Sequence, residues 1–234
     1  MSNQMSNAPM MSGGPKSFIQ VWMDALTKPN EQNYADMAAA PGASAGKAYL
    51  WVFLTSLVSY FIIALVQFAV VGLGGNAHGS RDLTTSLVSL ICAIPIGAGF
   101  VVLGFMIGTA LVQWVAGMFK GAGTFGQLAY VFGAISAPAT LVSSLLSIFY
   151  AIPFLGLCLW PVSIILGLYV LVLEVIAVKG VNRFGWGEAI GSVLIPGLVL
   201  GCLVALCVFV ALLALGPAIG NVFSTINQSL QSVP

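Results

Sequence analysis

Long runs without a charged residue constrain this chain more than any other feature of its sequence. No aspartate, glutamate, lysine or arginine lies between Ala48 and Ser80 or between Leu83 and Phe119. The 53 residues from Gly121 to Leu173 are also uncharged, as are the 46 residues after Glu188. Because one helical crossing of a bilayer needs about 20 apolar residues, these runs predict several membrane-spanning segments.

The composition excludes the common soluble classes. Of 234 residues, only seven are lysine or arginine and six are aspartate or glutamate, whereas 59% are hydrophobic. A soluble domain is about a quarter charged, and a nucleic-acid-binding protein needs a basic patch to neutralise phosphates. Disordered chains lack this apolar content. We therefore expect a polytopic integral membrane protein whose main partner is the lipid bilayer, with no nucleic-acid partner.

The uncharged runs accommodate five spans. Lipid satisfies no backbone hydrogen bonds, so spans are helices or strands of a closed barrel, and continuous rather than alternating apolar runs favour helices. The predicted fold is all-α, a bundle of about five transmembrane helices kinked by proline and glycine. We place the spans at residues 48–73, 96–119, 127–149, 155–178 and 189–215.

Three further segments flank the predicted membrane domain of residues 48–215. Residues 1–17 are rich in Met, Ser, Asn, Gly and Pro and are expected to be a disordered tail. Residues 18–47 are expected to form a cytoplasmic amphipathic lead-in, and residues 216–234 a polar C-terminal tail.

Pro95 interrupts the second uncharged run, which is too long for one simple span. Proline breaks or kinks a helix at the residues before it. This pattern indicates that residues 87–94 form a short interfacial or re-entrant piece before the span. The alternative is one strongly tilted helix.

The distribution of basic residues gives the orientation. With a cytoplasmic N-terminus and five spans, six basic residues lie inside and only Arg81 lies outside, as the positive-inside rule requires. The inner residues are Lys16, Lys28, Lys47, Lys120, Lys179 and Arg183. The C-terminus is then outside the cell.

Residues 18–28 have the periodicity of an amphipathic helix. Phe18, Val21, Trp22, Ala25 and Leu26 recur at one helical face, and a proline ends the segment at the next position. Such a helix either lies in the inner membrane interface or packs on the inner loops of the protein itself.

Glu174 is the one acidic residue inside a predicted span. It lies about 7 Å deep when counted from Lys179 at about 1.5 Å per residue, and intramembrane acids are candidate functional groups. Gln113 precedes Lys120 by seven residues, which predicts a comparable depth on another helix. We therefore expect Glu174 and Gln113 to form a hydrogen-bonded pair across two helices.

Recognisable catalytic, cofactor-binding and metal-binding patterns are missing from the sequence. It contains no H-E-x-x-H, no G-x-S-x-G with partner residues, no phosphate-binding loop and no C-x-x-C. We expect no enzymatic activity, no cofactor and no metal.

Several short motifs resemble the Yip-type family of Ypt/Rab-interacting membrane proteins, in particular its prokaryotic members. They are the W-x-x-x-L-T-K-P lead-in at Trp22–Pro29, the loop GAGTFGQL at Gly121–Leu128 and the tract VIAVKGVNRFGWGEAI at Val175–Ile190. The resemblance covers about Phe18 to Leu215. The family-like positions are Gly121, Gly123, Phe125, Pro138, Trp160, Asn182 (where many relatives have His), Gly187, Ala189 and Pro196.

The resemblance implies five spans with the N-terminus in the cytoplasm, no enzymatic activity and a prokaryotic cell membrane. For the eukaryotic relatives it implies Rab binding, but this sequence lacks their D-L-Y-G-P motif. Three functions stay open. The protein recruits partners or organises the membrane, it is a transporter or channel component, or it is a structural accessory subunit of a larger complex. A homo-oligomer is compatible with each.

Overall fold

The uncharged runs form helices, and the fold is all-α. The structure, a computed structural model, describes residues 17–73, 83–150, 152 and 154–231. Within that part of the chain seven helices follow one another, and five of them contain stretches long and apolar enough to cross a membrane. The helices are α1 (Phe18–Thr27), α2 (Glu31–Ala39), α3 (Ala45–Leu73), α4 (Leu83–Met118), α5 (Phe125–Tyr150), α6 (Leu155–Asn182) and α7 (Trp186–Gln231).

Pro95 does not divide the second uncharged run. It lies inside one continuous helix, α4, whose apolar spanning part is Ile91–Met118. The separate piece at residues 87–94 is therefore not formed, and the single-helix alternative describes the structure. Membrane helices tolerate an internal proline because neighbouring groups and local adjustments satisfy the backbone groups it frees.

The last helix is longer than the fifth predicted span. The helix α7 has 46 residues and continues to Gln231, so the expected polar tail at residues 216–234 is helical almost throughout. Residues 232–234 lie outside the described part of the chain, and so do residues 1–16 of the expected N-terminal tail. A formed helix extends readily, since each added residue gains one backbone hydrogen bond.

The five long helices close a ring. Along this ring α3 contacts α5, α5 contacts α6, α6 contacts α7, α7 contacts α4, and α4 returns to α3. The short helices α1 and α2 pack against α5, and α2 also packs against α6. We call the end of the bundle where α1 and α2 lie the capped end. There α3, α5 and α7 begin, and α4 and α6 end.

The helices α3 and α5 form the largest interface of the bundle. A Cβ atom added at Gly133 of α5 would lie 2.6 Å from the Cβ atom and 2.9 Å from the Cα atom of Ala48 in α3. Ala137, one turn further along α5, is fully buried. Small residues let two helix backbones approach closely in a membrane, and here they bring α3 and α5 into direct contact.

Among the described side chains of α6 and α7, burial is confined to the capped end. The buried side chains of α6 all lie between Leu173 and Asn182. In α7 the described side chains from Gly197 to Leu213 are all exposed. Lipid therefore surrounds the apolar stretches of these two helices beyond the capped end when the protein lies in a bilayer.

Candidate functional site

The candidate site is a polar junction at the capped end, and it begins with the way α4 ends. Lys120 adopts a left-handed conformation with φ of 64°. The Gly121 N–H donates to the Ala116 carbonyl at 2.9 Å, and the Lys120 N–H donates to the Gly117 carbonyl at 3.0 Å. This pair of bonds is a Schellman motif, which satisfies the last carbonyls of a helix and turns the chain back.

The helix α5 begins directly after this turn. Thr124 and Gln127 form a capping box, in which the Thr124 N–H donates to Gln127 Oε1 at 3.0 Å and the Gln127 N–H donates to Thr124 Oγ1 at 3.4 Å. Only four residues therefore separate Lys120 from the first residue of α5, and the loop lies against the end of α6.

Asn182, the last residue of α6, joins the loop to α4. Its Oδ1 atom accepts hydrogen bonds from Gln113 Nε2 at 3.0 Å and from the Gly123 N–H at 3.2 Å. Its Nδ2 atom donates to the Val178 carbonyl at 3.1 Å. The backbone carbonyl of Asn182 accepts from the Ala122 N–H at 3.0 Å. The Asn182 side chain is 1% exposed, so each of these bonds replaces a contact with water.

Two glycines make room for the Asn182 amide. A Cβ atom added at Gly121 would lie 2.6 Å from Asn182 Oδ1, and one added at Gly123 would lie 2.9 Å from the same atom. Gly123 also accepts through its carbonyl a hydrogen bond of 2.7 Å from Gln113 Nε2. We call Gln113, Gly121, Gly123 and Asn182 the capped-end junction. All four residues are candidates from the sequence alone, but their contact with one another was not predicted.

The expected pair of Glu174 and Gln113 is not formed. Of the described residues, Gln113 uses its amide nitrogen on Gly123 and Asn182, and no hydrogen bond joins it to Glu174. The expected depth of Glu174 was counted from Lys179 as the inner end of the span. The helix α6 instead continues past Lys179 to Asn182. Asn182 is therefore the residue of α6 that reaches the level of Gln113.

The other family-like positions lie outside the junction. Phe125 is the first residue of α5, and Pro138 lies within that helix. Trp160 is 64% exposed on the part of α6 far from the capped end. In α7, Gly187 is exposed, whereas Ala189 and Pro196 are buried.

The predicted apolar face of α1 packs against the bundle. Val21 is buried, and Trp22 makes an edge-to-face contact with Trp51 of α3 at a centroid distance of 6.0 Å. Leu26 is partly buried against the same core. Phe18, at the start of the helix, is 51% exposed. The helix therefore packs on the bundle through this face, and its position in the membrane interface stays a prediction.

The packing of α2 on α6 was missed by the sequence analysis. A Cβ atom added at Gly180 of α6 would lie 3.1 Å from the Cα atom of Glu31 in α2, so the two backbones touch. The Glu31 carboxylate forms an ion pair with Lys179, and the Lys179 ammonium lies 4.4 Å above the ring of Trp186. The signal in the sequence is a lone glycine beside a lysine, which is too common to indicate such a contact.

Tyr34 fastens α2 to α1. Its ring is fully buried, and its hydroxyl donates to the Ala25 carbonyl at 2.7 Å. Burial raises the pKa of Tyr34, and the neighbouring Tyr169 adds to the shift. The folded protein therefore favours the neutral phenol.

We expect Tyr34→Phe to lower the free energy of unfolding by about 1 kcal/mol, because one buried hydrogen bond is lost. Because the pKa is raised in the folded state, the stabilisation is complete below the ordinary tyrosine value of about 10 and declines as the pH rises through that value. Thermal unfolding in detergent at pH 7.5 and pH 10.5 measures both effects. A wild-type protein and a Tyr34→Phe variant with equal pH sensitivity would contradict the assignment.

The junction is built from neutral amides, which position backbone segments and carry no charge. Within the described residues no group of three or more His, Cys, Asp or Glu side chains is arranged to hold a metal ion. These hydrogen bonds therefore hold the loop between α4 and α5 against the end of α6.

The segments described above match a known protein family. The family model described as the Yip1 domain matches residues 23–209, which include α2 to α6, the second half of α1 and the first half of α7. No curated protein and no solved structure matches the chain. Since the matched range covers well over half of the chain and contains the whole capped-end junction, the protein belongs to the Yip1 domain family of multi-pass membrane proteins.

Proposed function

We propose that this protein is a non-enzymatic membrane protein that recruits a soluble partner through the exposed face of α2 at the capped end. The observation that carries the proposal is the rigid seating of α2. One side of that helix is buried through Tyr34, Met37 and Ala38, and its opposite side is left in a fixed position at the end of the bundle.

The exposed face of α2 has a defined chemistry. Gln32 and Asp36 are exposed, and Gln32 Nε2 donates to Asp36 Oδ1 at 2.9 Å. The Glu31 side chain is 51% exposed at the start of the same helix. This acidic face favours a partner with a basic surface, since complementary charge steers association and selects partners.

The basic residues support placing the capped end in the cytoplasm. All five basic residues that the structure describes lie at that end. The other two of the seven, Lys16 and Arg81, lie outside the described part of the chain. The five are Lys28, Lys47, Lys120, Lys179 and Arg183. With this orientation the face of α2 is available to cytosolic proteins, and the cell membrane of a prokaryote is the proposed location.

Reversing the charge at the α2 face tests recruitment. We expect Asp36→Lys to reduce at least tenfold the amount of a stoichiometric partner that is cross-linked to α2 and recovered in mild detergent, because like charges replace an attraction. Ala122→Lys is the control for the introduced side chain, since it places a lysine at an exposed site of the capped end away from α2, and it is expected to leave recovery unchanged. Quantitative mass spectrometry of the cross-linked material measures both.

Two outcomes contradict the proposal. Equal recovery with Asp36→Lys and wild type would place the partner elsewhere, as for an accessory subunit held within the membrane. Robust solute flux that is lost in Glu174→Gln, measured with the purified protein in liposomes, would identify a transporter instead.

A further inference from the structure

Two cavities, here called hollows, share the lining residue Trp186, where α2, α6 and α7 come together. The first has a volume of about 260 Å³ and is lined by Pro29, Asn30, Glu31, Ile176, Lys179 and Trp186. It contains the ion pair between Lys179 and Glu31. Three of its six lining residues are polar or charged, and the hollow opens at the capped end.

The second hollow is an apolar groove between α6 and α7. It has a volume of about 300 Å³ and is lined by Leu171, Val172, Val175, Trp186, Ile190 and Leu194. Every one of these side chains belongs to a membrane-spanning helix, and Trp186 is shared with the first hollow. Trp186 thus borders both the cavity with the ion pair and the apolar groove between the two membrane-spanning helices.

We propose that the two hollows form one binding site for a zwitterionic phospholipid with a primary ammonium headgroup, such as phosphatidylethanolamine. The headgroup occupies the polar cavity, and one acyl chain lies in the groove between α6 and α7. This site shares only Glu31 with the proposed recruiting face of α2, and its groove between α6 and α7 is separate from that face.

The charges of the cavity match this headgroup. Lys179 supplies an ammonium for the phosphate, and basic pockets between membrane helices are known to hold lipid headgroups. The Glu31 carboxylate is half exposed and accepts hydrogen bonds from the lipid ammonium. Because one cation and one carboxylate line the cavity, a headgroup with one charge of each sign satisfies both, whereas an anionic headgroup is repelled by Glu31.

The position of Trp186 supports the same orientation of the lipid. Tryptophan is enriched where hydrocarbon meets the headgroup layer, and Trp186 lies between the charged cavity and the apolar groove. Its ring already faces the Lys179 ammonium at 4.4 Å. The junction between the headgroup and the acyl chain of the lipid is therefore placed beside this ring.

Native mass spectrometry of the delipidated full chain, titrated with phosphatidylethanolamine, tests the proposal. We expect one lipid to bind and Lys179→Gln to weaken its binding about tenfold, because a charge-assisted hydrogen bond is lost. We also expect a weakening of about tenfold for Leu194→Trp, which fills the groove while leaving the ion pair intact. This second variant keeps the test informative if Lys179→Gln unfolds.

Matched controls exist for both variants. Lys47→Gln removes an exposed lysine at the capped end, and Leu203→Trp adds an indole at a side chain of α7 that is 52% exposed and does not line the groove. Neither is expected to change lipid binding. Circular dichroism at the titration temperature confirms that each variant is folded.

Three results would overturn the site. The first is a loss of binding in Leu203→Trp equal to that in Leu194→Trp. The second is tighter binding of phosphatidylglycerol than of phosphatidylethanolamine. The third is displacement of the lipid by equimolar glycerophosphoethanolamine, which has the same headgroup without acyl chains and would show that the groove contributes nothing.

Discussion

Replacing Asn182 with leucine is expected to lower the free energy of unfolding by about 3 kcal/mol. Leucine has a similar branched shape but is larger than asparagine at a position that is 1% exposed, and it removes the Oδ1 acceptor. The Gly123 N–H then loses its acceptor, and Gln113 Nε2 loses one of its two acceptors. A buried donor without an acceptor costs about 1 to 3 kcal/mol, and two donors are affected here. Thermal or denaturant unfolding in detergent, followed by circular dichroism, measures the loss.

A graded set of variants distinguishes this mechanism from a general sensitivity of the capped end. Asn182→His keeps one ring acceptor and one donor and is expected to lose less than half as much stability. Gln32→Leu replaces an exposed polar residue at the same end and is expected to change stability by less than about 0.5 kcal/mol. If Asn182→Leu were as stable as Gln32→Leu, the junction would not hold the loop to α6.

Replacing Gly133 with leucine is expected to be at least as damaging, by about 3 kcal/mol. A Cβ atom at this position would lie 2.9 Å from the Cα atom of Ala48. Because that contact involves backbone, a side-chain rotation cannot relieve it, and α3 must move away from α5. We expect a lower unfolding temperature in detergent.

Gly108→Leu is the matched control for Gly133→Leu. Both positions are glycines in long helices, but no described atom lies within 4 Å of a Cβ atom added at Gly108. Since leucine favours a helix more than glycine does, by about 0.8 kcal/mol, the control is expected to be neutral or slightly stabilising. Partial recovery of Gly133→Ala by Ala48→Gly would show that the two backbones meet at this point. Equal stability of Gly133→Leu and Gly108→Leu would contradict the interface.

The number and type of the spans could be predicted because they depend only on local composition. Most of each helix that is long and apolar enough to cross the membrane lies on an uncharged run, and the few charged residues it contains lie near the capped end. Their ends were less predictable. The helix α4 continues through Pro95, and α7 extends to Gln231, because proline and polar residues weaken a helix without compelling it to end at one position.

The contacts of the site could not be predicted because they depend on how distant segments pack. Gln113 and Asn182 are separated by 69 residues, and only the Schellman turn at Lys120 brings the loop between them. Counting depth from charged residues instead paired Gln113 with Glu174. The periodicity of α1 correctly identified an apolar face, but a pattern on one helix does not say which surface covers it.

The confinement of buried side chains in α6 and α7 to the capped end has a mechanical consequence. At about 1.5 Å per residue, α7 is about 69 Å long, more than twice the roughly 30 Å thickness of a hydrocarbon layer. Beyond Pro196 its described side chains up to Leu213 are all exposed. Buried contacts therefore hold α7 only near its start, and we expect a bilayer that does not match its apolar stretch to change the tilt of the helix at a modest cost. Such a change acts at the base of the helix, where the groove beside Trp186 lies.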